Sequence, residues 1–228
     1  MIPTKKTDRY FFLAFALYFL ITQAIGFSHS SVERVAKEGG LPTIAIIHGT
    51  VGALWYMLFA VQAALITKKN IRLHQRLGQV SVPLVVAVFL TGIYAIFRVN
   101  TPTEDIPFDL MKSEVGLFTL GLIYATLGYR FRRRPHDHKR YYLMSMIMLS
   151  PAGIARLMDA IGFQPSHVVV YILILFVVPL LTILAYDFFA YKKIFRGTLI
   201  GIGIYVLNLV VGSFWGGLVV DYIRPIFL

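Results

Sequence analysis

The segment Ile44–Thr67 reads IAIIHGTVGALWYMLFAVQAALIT and contains no Asp, Glu, Lys or Arg. An α-helix needs about 20 mainly apolar residues to cross a hydrocarbon core of about 30 Å, so this segment is long enough to span a membrane. The predicted spans are Tyr10–Phe27, Ile44–Thr67, Val80–Phe97, Ser113–Tyr129, Tyr141–Phe163, Val168–Phe189 and Thr198–Val220. The sequence therefore predicts an all-α integral membrane bundle of seven transmembrane helices, in which residues 1–228 form one transmembrane helical domain.

The positive charges are concentrated at alternate ends of these spans. Most of the 22 Lys and Arg residues fall in four segments, whereas most of the 11 Asp and Glu residues lie at or near the other ends. The basic segments are Lys5–Arg9, Lys68–Arg76, Arg130–Arg140 and Lys192–Arg196. Because loops rich in Lys and Arg stay in the cytoplasm, we expect a cytoplasmic N-terminus and an external C-terminus.

The composition also excludes several classes of function. No loop is long enough to fold into a basic soluble module, so the net charge of +11 reflects topology, and we expect the lipid bilayer, not nucleic acid, as partner. The chain has no cysteine, which excludes disulfides, iron–sulfur clusters and thiolate zinc sites. The zinc-protease element HExxH and the nucleophile elbow GxSxG are also missing from the sequence.

One polar face is expected on the second predicted span. His48, Gly52, Trp55, Phe59 and Gln62 recur at steps of three and four residues, so they share one side of the helix. Ionisable groups inside spans are costly, and His48 is therefore a functional hypothesis, with Gly52 leaving room for a partner helix or a flat ligand. The alternative is that His48 and Gln62 only form hydrogen bonds between packed helices.

The fifth predicted span combines a break with charge. The sequence Ser150-Pro151 removes a backbone N–H and should kink the helix. Arg156 and Asp159 follow at a spacing of three residues and are expected to form a buried pair. With His48 and Glu114 they predict an outer polar pocket that has His167 or His29 at its mouth. A salt bridge that only fixes helix packing is the alternative.

Two histidines open spans on the basic side. His74 lies in the sequence LHQRLG near Arg76, and His138 is followed by Lys139 and Arg140. Two imidazoles from different helices can supply both axial ligands of a haem, and adjacent cations can hold its propionates. The same pattern is open to another interpretation, because interfacial histidines are often simply solvated. This alternative applies to His136 and His138, which lie in a charged loop.

These motifs occur in a distinctive order. The elements His48-Gly49, LHQRLG at 73–78, RRRP at 132–135 and SPAGIAR at 150–156 resemble a widespread family of uncharacterised bacterial multi-pass membrane proteins, over roughly residues 44–160. More distantly, the chain is similar to b-type haem membrane cytochromes. The resemblance implies the bacterial cytoplasmic (inner) membrane but no particular reaction.

Two functions follow as expectations. The first is a b-type haem protein for transmembrane electron transfer or for redox or gas sensing, with iron ligands among His48, His74 and His138. Trp55, Gln62, Arg76, Arg140 and Arg156 are expected around the haem or in the pocket. The alternative is a membrane enzyme, transporter or receptor that uses the outer pocket of His48, Glu114, Arg156 and Asp159. The glycine-rich last span further suggests a homodimer contact.

The expected orientation can be tested by chemical labelling of whole cells. A cysteine introduced at Thr103 should react with an impermeant thiol reagent added outside, because its loop is expected to be external. A cysteine at Asn70 should react only after the membrane is opened. The reverse pattern would contradict the orientation.

Overall fold

The structure is a computed structural model that describes residues 5–99 and 108–227, except for the side chains of 99, 108–112, 168 and 212–227. The described residues form helices and turns without a strand, so the all-α prediction is confirmed. The helices are α1 (Lys6–Glu38), α2 (Thr43–Thr67), α3 (Ile71–Gly78), α4 (Ser81–Val99), α5 (Phe108–Arg130), α6 (Pro135–Leu149), α7 (Pro151–Ala160), α8 (Val168–Ile172), α9 (Val178–Tyr191) and α10 (Arg196–Phe227), with a π-helical turn at Leu173–Val177 between α8 and α9. Thr103 lies outside the described residues.

The number of membrane-spanning helices is smaller than predicted. In the described part of the chain, α1, α2, α4 and the helical segment Val169–Tyr191 are long and apolar enough to cross a membrane, and α6 with α7 adds a fifth if the bent pair counts as one span. The prediction of seven is therefore wrong in number. Helices form at all seven expected places, but α5 carries polar residues that include Glu114, and the apolar part of α10 that can be assessed is only Arg196–Val211.

The first helix is longer than its predicted span. The predicted span ended at Phe27, yet α1 continues without a break to Glu38. Its 33 residues make a helix about 50 Å long, which exceeds a hydrocarbon core of about 30 Å. The helix ends at Gly39, whose φ of 76° is a left-handed conformation that suits glycine, and whose N–H donates to the Val35 carbonyl.

Helix α6 lies at the centre of the bundle. Leu143, Met144, Met146 and Ile147 are all fully buried, which means that α6 is covered on every side. It packs against α5, α10, α1 and α7, while α2 and α4 complete the layer between α1 and α5. Polar side chains on α6 therefore have little access to solvent and must find their hydrogen-bond partners within the protein.

The expected kink is confirmed between α6 and α7, whose axes differ by 50°. Pro151 has no N–H to donate to the Ile147 carbonyl, and the Ser150 hydroxyl donates to that carbonyl instead at 3.0 Å. Two more carbonyls at the break accept hydrogen bonds from other helices. The Tyr56 hydroxyl of α2 donates to Leu149 at 2.7 Å, and Gln23 Nε2 of α1 donates to Ser150 at 2.9 Å. The bend is thus tied to both α1 and α2.

Glycines permit the closest helix contacts. A Cβ added at Gly26 of α1 would overlap the main-chain oxygen of Gly153 in α7, and one at Gly201 of α10 would overlap Met144 of α6. The space beside Gly52 of α2 is instead open, with nothing within 4 Å of an added Cβ. The close approach of α1 and α7 therefore depends on Gly26 and Gly153.

Replacing Gly26 by Ala should destabilise the protein by about 1–3 kcal/mol, because the obstacle is backbone that cannot rotate away. Gly49→Ala in α2 is the matched control, since an added Cβ there meets nothing within 4 Å. It should be neutral or stabilise by about 0.5–1 kcal/mol, because alanine favours helices. Denaturant unfolding of both variants in detergent measures the difference. Equal stability of the two variants would show that α1 and α7 are not so close.

Candidate functional site

The helix ends meet in two groups, one at each end of the bundle. At the basic end, the Lys5 main-chain N–H donates to the Tyr191 hydroxyl at 2.9 Å. The Thr67 hydroxyl donates to the Ala63 carbonyl at 3.0 Å and also lies 3.4 Å from the Arg9 carbonyl. These contacts join the start of α1 to the ends of α9 and α2. At the opposite end, Arg156 Nε of α7 donates to the Ser30 hydroxyl of α1 at 3.2 Å. The sequence-predicted site residues divide between these two ends.

His74 and His138 lie side by side at the basic end. His74 is on α3 and His138 is in the first turn of α6, and their ring centroids are 6.1 Å apart with the planes at 88°. The pair is separated by more than sixty residues in sequence, so only packing of α3 against the bundle brings the two imidazoles together. The expected inner pair is therefore placed together by the structure.

Each imidazole of this pair has one nitrogen that makes no hydrogen bond among the described residues. His138 Nδ1 is 2.9 Å from the Gly128 carbonyl, which can only accept, so Nδ1 carries the proton and Nε2 keeps its lone pair. His74 Nδ1 is buried without a partner. Burial lowers the pKa of His74, and the main-chain carbonyl of Gln62 partly opposes this. His74 is therefore neutral at pH 7, the form that binds metals.

Two further side chains bring unpaired polar atoms to the same region. Trp55 is 2% exposed, and its Nε1 has no partner. Both amide atoms of Gln62 are also buried without partners, and Gln62 Nε2 faces Gly78 at the end of α3. Tyr142 of α6 connects the two sides, with ring-centroid distances of 6.2 Å to Trp55 and 5.1 Å to His138. We call Trp55, Gln62, His74, His138 and Tyr142 the histidine cluster.

Tyr142 was missed by the sequence analysis. It lies four residues after His138 and so shares a face of α6 with it, which is the signal that could have found it. Its hydroxyl lies 2.7 Å from Ser81 Oγ, and Ser81 itself donates to the Gly78 carbonyl at 2.6 Å. Since a serine hydroxyl has one hydrogen, Tyr142 must be the donor. These two hydrogen bonds fix Tyr142 against the start of α4.

The donor set fits a ligand held by two imidazoles better than a structural metal ion. In the described part of the chain, no group of three or more His, Asp or Glu side chains is placed to hold a metal ion. His74 and His138 come from two different helices, so they could hold a cofactor that needs two imidazoles from the protein. The hydrogen bond from His138 Nδ1 to a carbonyl is also the usual support of a metal-binding histidine.

Arg76 and Arg140 do not play their expected role as propionate partners. Arg76 is exposed and lies on the side of α3 opposite His74, because two helical positions turn the chain by about 200°. Arg140 is fully buried and paired with Asp187, which is fully buried too. Arg140 Nε lies 2.9 Å and 3.0 Å from the two carboxylate oxygens, and Nη1 donates to the His136 carbonyl at 2.8 Å. Its charge is neutralised inside the protein.

Asp187 is a further residue whose role the sequence did not reveal. Besides Arg140, its carboxylate accepts from the Thr198 hydroxyl at 2.6 Å and from the Phe195 main-chain N–H at 3.2 Å. It thereby joins α9, α6 and the start of α10. His136, expected in solvent, is 8% exposed and stacks on Phe195 with 4.2 Å between ring centroids. The charged loop before His136 was a poor guide, because Tyr191 and Phe195 pack on the His136 ring.

His48 lies at the other end of the bundle. The Thr91 hydroxyl donates its single hydrogen to the Ala87 carbonyl at 2.7 Å, so His48 Nδ1, 3.0 Å from that hydroxyl, must be a donor. The ring also meets Phe118 of α5 edge-on at 5.6 Å. Fourteen helical residues separate His48 from Gln62, a rise of about 21 Å, so His48 cannot join the histidine cluster.

The outer pocket is only partly as expected. The positive charge of Arg156 acts on both His48 and Glu114, which agrees with their grouping. Arg156 is nevertheless held by Ser30, by the Ala152 carbonyl at 2.9 Å and over the Phe27 ring at 4.8 Å.

The remaining pocket residues are at the surface. Asp159 is exposed and forms no ion pair with Arg156 within 4.0 Å, so the expected buried pair is wrong. The bend at Pro151 directs Arg156 toward α1, whereas Asp159 reaches solvent near the end of α7. His167 is exposed ahead of α8, and His29 is exposed, with 3.8 Å between its Nδ1 and a Glu33 carboxylate oxygen.

No protein-family model, curated protein or solved structure matches the chain. The resemblance to uncharacterised bacterial membrane proteins and to b-type cytochromes accordingly stays a prediction. Functional inference depends on the geometry of the two ends of the bundle.

Replacing Arg140 by Met should destabilise the protein by about 3–5 kcal/mol, because it leaves the Asp187 carboxylate buried without its cation. The double variant Arg140→Met with Asp187→Leu should recover part of that loss. Arg133→Met is the control, since Arg133 is exposed. Denaturant unfolding in detergent measures all three. A double variant that is less stable than Arg140→Met would contradict this account.

Proposed function

We propose that this chain is an integral membrane protein that binds haem b through His74 and His138 and uses it for transmembrane electron transfer or for redox or gas sensing. The observation that carries the proposal is the pairing of these two imidazoles at 6.1 Å between ring centroids. His74 and His138 would hold the haem iron with one imidazole nitrogen each, because the two rings lie side by side and come from two different helices.

The chain's own groups support this pairing in three ways. The Gly128 carbonyl fixes the orientation and tautomer of His138, and burial keeps His74 neutral. Trp55 and Gln62 supply buried hydrogen-bonding groups that the protein itself does not satisfy. An unsatisfied buried group costs about 1–3 kcal/mol, so a bound partner at this position would stabilise the fold. Haem would supply reversible one-electron chemistry at the site.

The proposal includes a location. The apolar helices are compatible with a membrane, and the positive-inside rule places the basic end, with the histidine cluster, in the cytoplasmic half. The resemblance adds the bacterial cytoplasmic membrane. A second haem at His48 is not part of the proposal, because the other described histidines at that end, His29 and His167, are exposed.

A second candidate function is supported by the opposite end. The charge of Arg156 acts on His48 and Glu114, and His48 Nε2 keeps a lone pair. Such a group suits a small polar ligand in a transporter, receptor or enzyme. A homodimer through α10 also stays a proposal, although Gly197 and Gly201 are occupied by contacts to Asp137 and Met144 within the chain.

Absorption spectra of the protein purified from haem-replete cells test the proposal. We expect a Soret band, with α and β bands that sharpen after reduction by dithionite. His74→Ala and His138→Ala should each remove or shift these bands, because either change removes an axial nitrogen. His48→Ala should leave the bands unchanged, because His48 is at the other end of the bundle.

His29→Ala serves as the control for histidine replacement, since His29 is exposed and far from the cluster. Size-exclusion profiles confirm that each variant is folded. A colourless protein that shows no spectral change with added hemin would disprove haem binding. Loss of the bands in His48→Ala, but not in His74→Ala, would move the site to the opposite end.

A further inference from the structure

The segment Lys68–Arg76 carries cations that no other part of the described protein neutralises. Lys68, Lys69, Arg72 and Arg76 are all exposed, and none of their side chains forms a hydrogen bond or ion pair among the described residues. The cations of the central helix are instead paired inside the protein, Lys139 with Asp8 and Arg140 with Asp187. The counter-charge for Lys68–Arg76 must therefore come from another molecule or from solvent ions.

Carboxylates that could serve this segment are far away or already used. The sequence contains no Asp or Glu between Glu38 and Glu104. At the basic end, Asp8 accepts from the Tyr186 and Tyr191 hydroxyls at 2.5 Å and 2.6 Å in addition to its pair with Lys139. Asp187 is enclosed with Arg140, and Asp137 accepts from the Gly197 main-chain N–H at 3.0 Å.

Helix α3 is also amphipathic in a way that suits a membrane surface. Arg72 and Arg76 lie one turn apart on the same face, while His74 faces the bundle. Ile71 and Leu73 are 47% and 39% exposed, although they are large apolar side chains. The helix begins four residues after α2 ends, so it lies at the end of a candidate span, where lipid head groups are found.

We propose that Lys68, Lys69, Arg72 and Arg76 form a binding site for the phosphate head group of an anionic phospholipid, with Ile71 and Leu73 in contact with its acyl chains. This inference rests on the membrane location proposed above and is independent of haem. Lys and Arg near a membrane surface attract anionic lipid, each contributing about fivefold in binding. The exposed Ile71 and Leu73 favour a lipid over a soluble phosphate, because a soluble ion would leave both side chains in water.

Native mass spectrometry of the full chain in detergent tests the proposal. The protein is titrated with phosphatidylglycerol or with phosphatidylcholine of the same acyl chains, and bound lipids are counted. We expect the unmodified protein to retain phosphatidylglycerol preferentially. Arg72→Gln with Arg76→Gln should weaken its binding by roughly 30-fold, whereas Arg72→Lys with Arg76→Lys should retain most of it.

Two controls separate the outcomes. Arg34→Gln removes a cation from the opposite end, where Arg34 pairs with Glu38 at 2.8 Å, and should not change lipid binding. Glycerol 3-phosphate should not displace the lipid, and displacement would indicate a soluble phosphate site. Equal retention of both lipids by the unmodified protein, or unchanged binding in the Gln variant, overturns the proposal. Purification without detergent as a monodisperse protein would instead contradict the membrane location.

Discussion

The central helix α6 carries polar groups into an apolar bundle, and the arrangement of its neighbours follows from the need to satisfy them. Arg140 is fully buried, and an unpaired charge in such surroundings costs several kcal/mol. Asp187 of α9 meets that charge and also accepts from Thr198 at the start of α10. One ion pair therefore fixes the positions of three helices at the basic end.

The break at Ser150-Pro151 imposes a second requirement on the same helix. At the break, the Leu149 carbonyl accepts from the Tyr56 hydroxyl of α2. The Ser150 carbonyl accepts from Gln23 of α1 in addition to the Ile154 main-chain N–H. The contact of Gly26 with Gly153 lets α1 approach closely enough for Gln23 to reach the break. The kink thus organises α1 and α2, and it directs Arg156 toward Ser30 and away from Asp159.

The histidine cluster differs from these networks because it holds most of the buried side-chain polar atoms that lack a partner among the described residues. Around Arg140 and Asp8 every charge is met by an opposite charge and by several hydrogen bonds, as expected for structural groups. Trp55, Gln62 and His74 instead keep buried atoms without partners. This contrast within one end of one bundle is the physical reason for assigning ligand binding to the cluster and a structural role to Arg140 and Asp187.

The sequence by itself determined the helices and the kink, because hydrophobic period and proline chemistry are local properties. It also singled out His74, His138, Trp55 and Gln62 as candidates, because buried polar groups are costly. It overestimated the number of spans, because α5 carries polar residues that include Glu114 and the described apolar part of α10 is only Arg196–Val211. Only the tertiary structure decided which charges pair. Arg140 finds Asp187 and Arg156 leaves Asp159, since packing and the bend at Pro151 set those distances. The same packing brings His74 to His138 and separates both from His48, which residue spacing along the chain could not reveal.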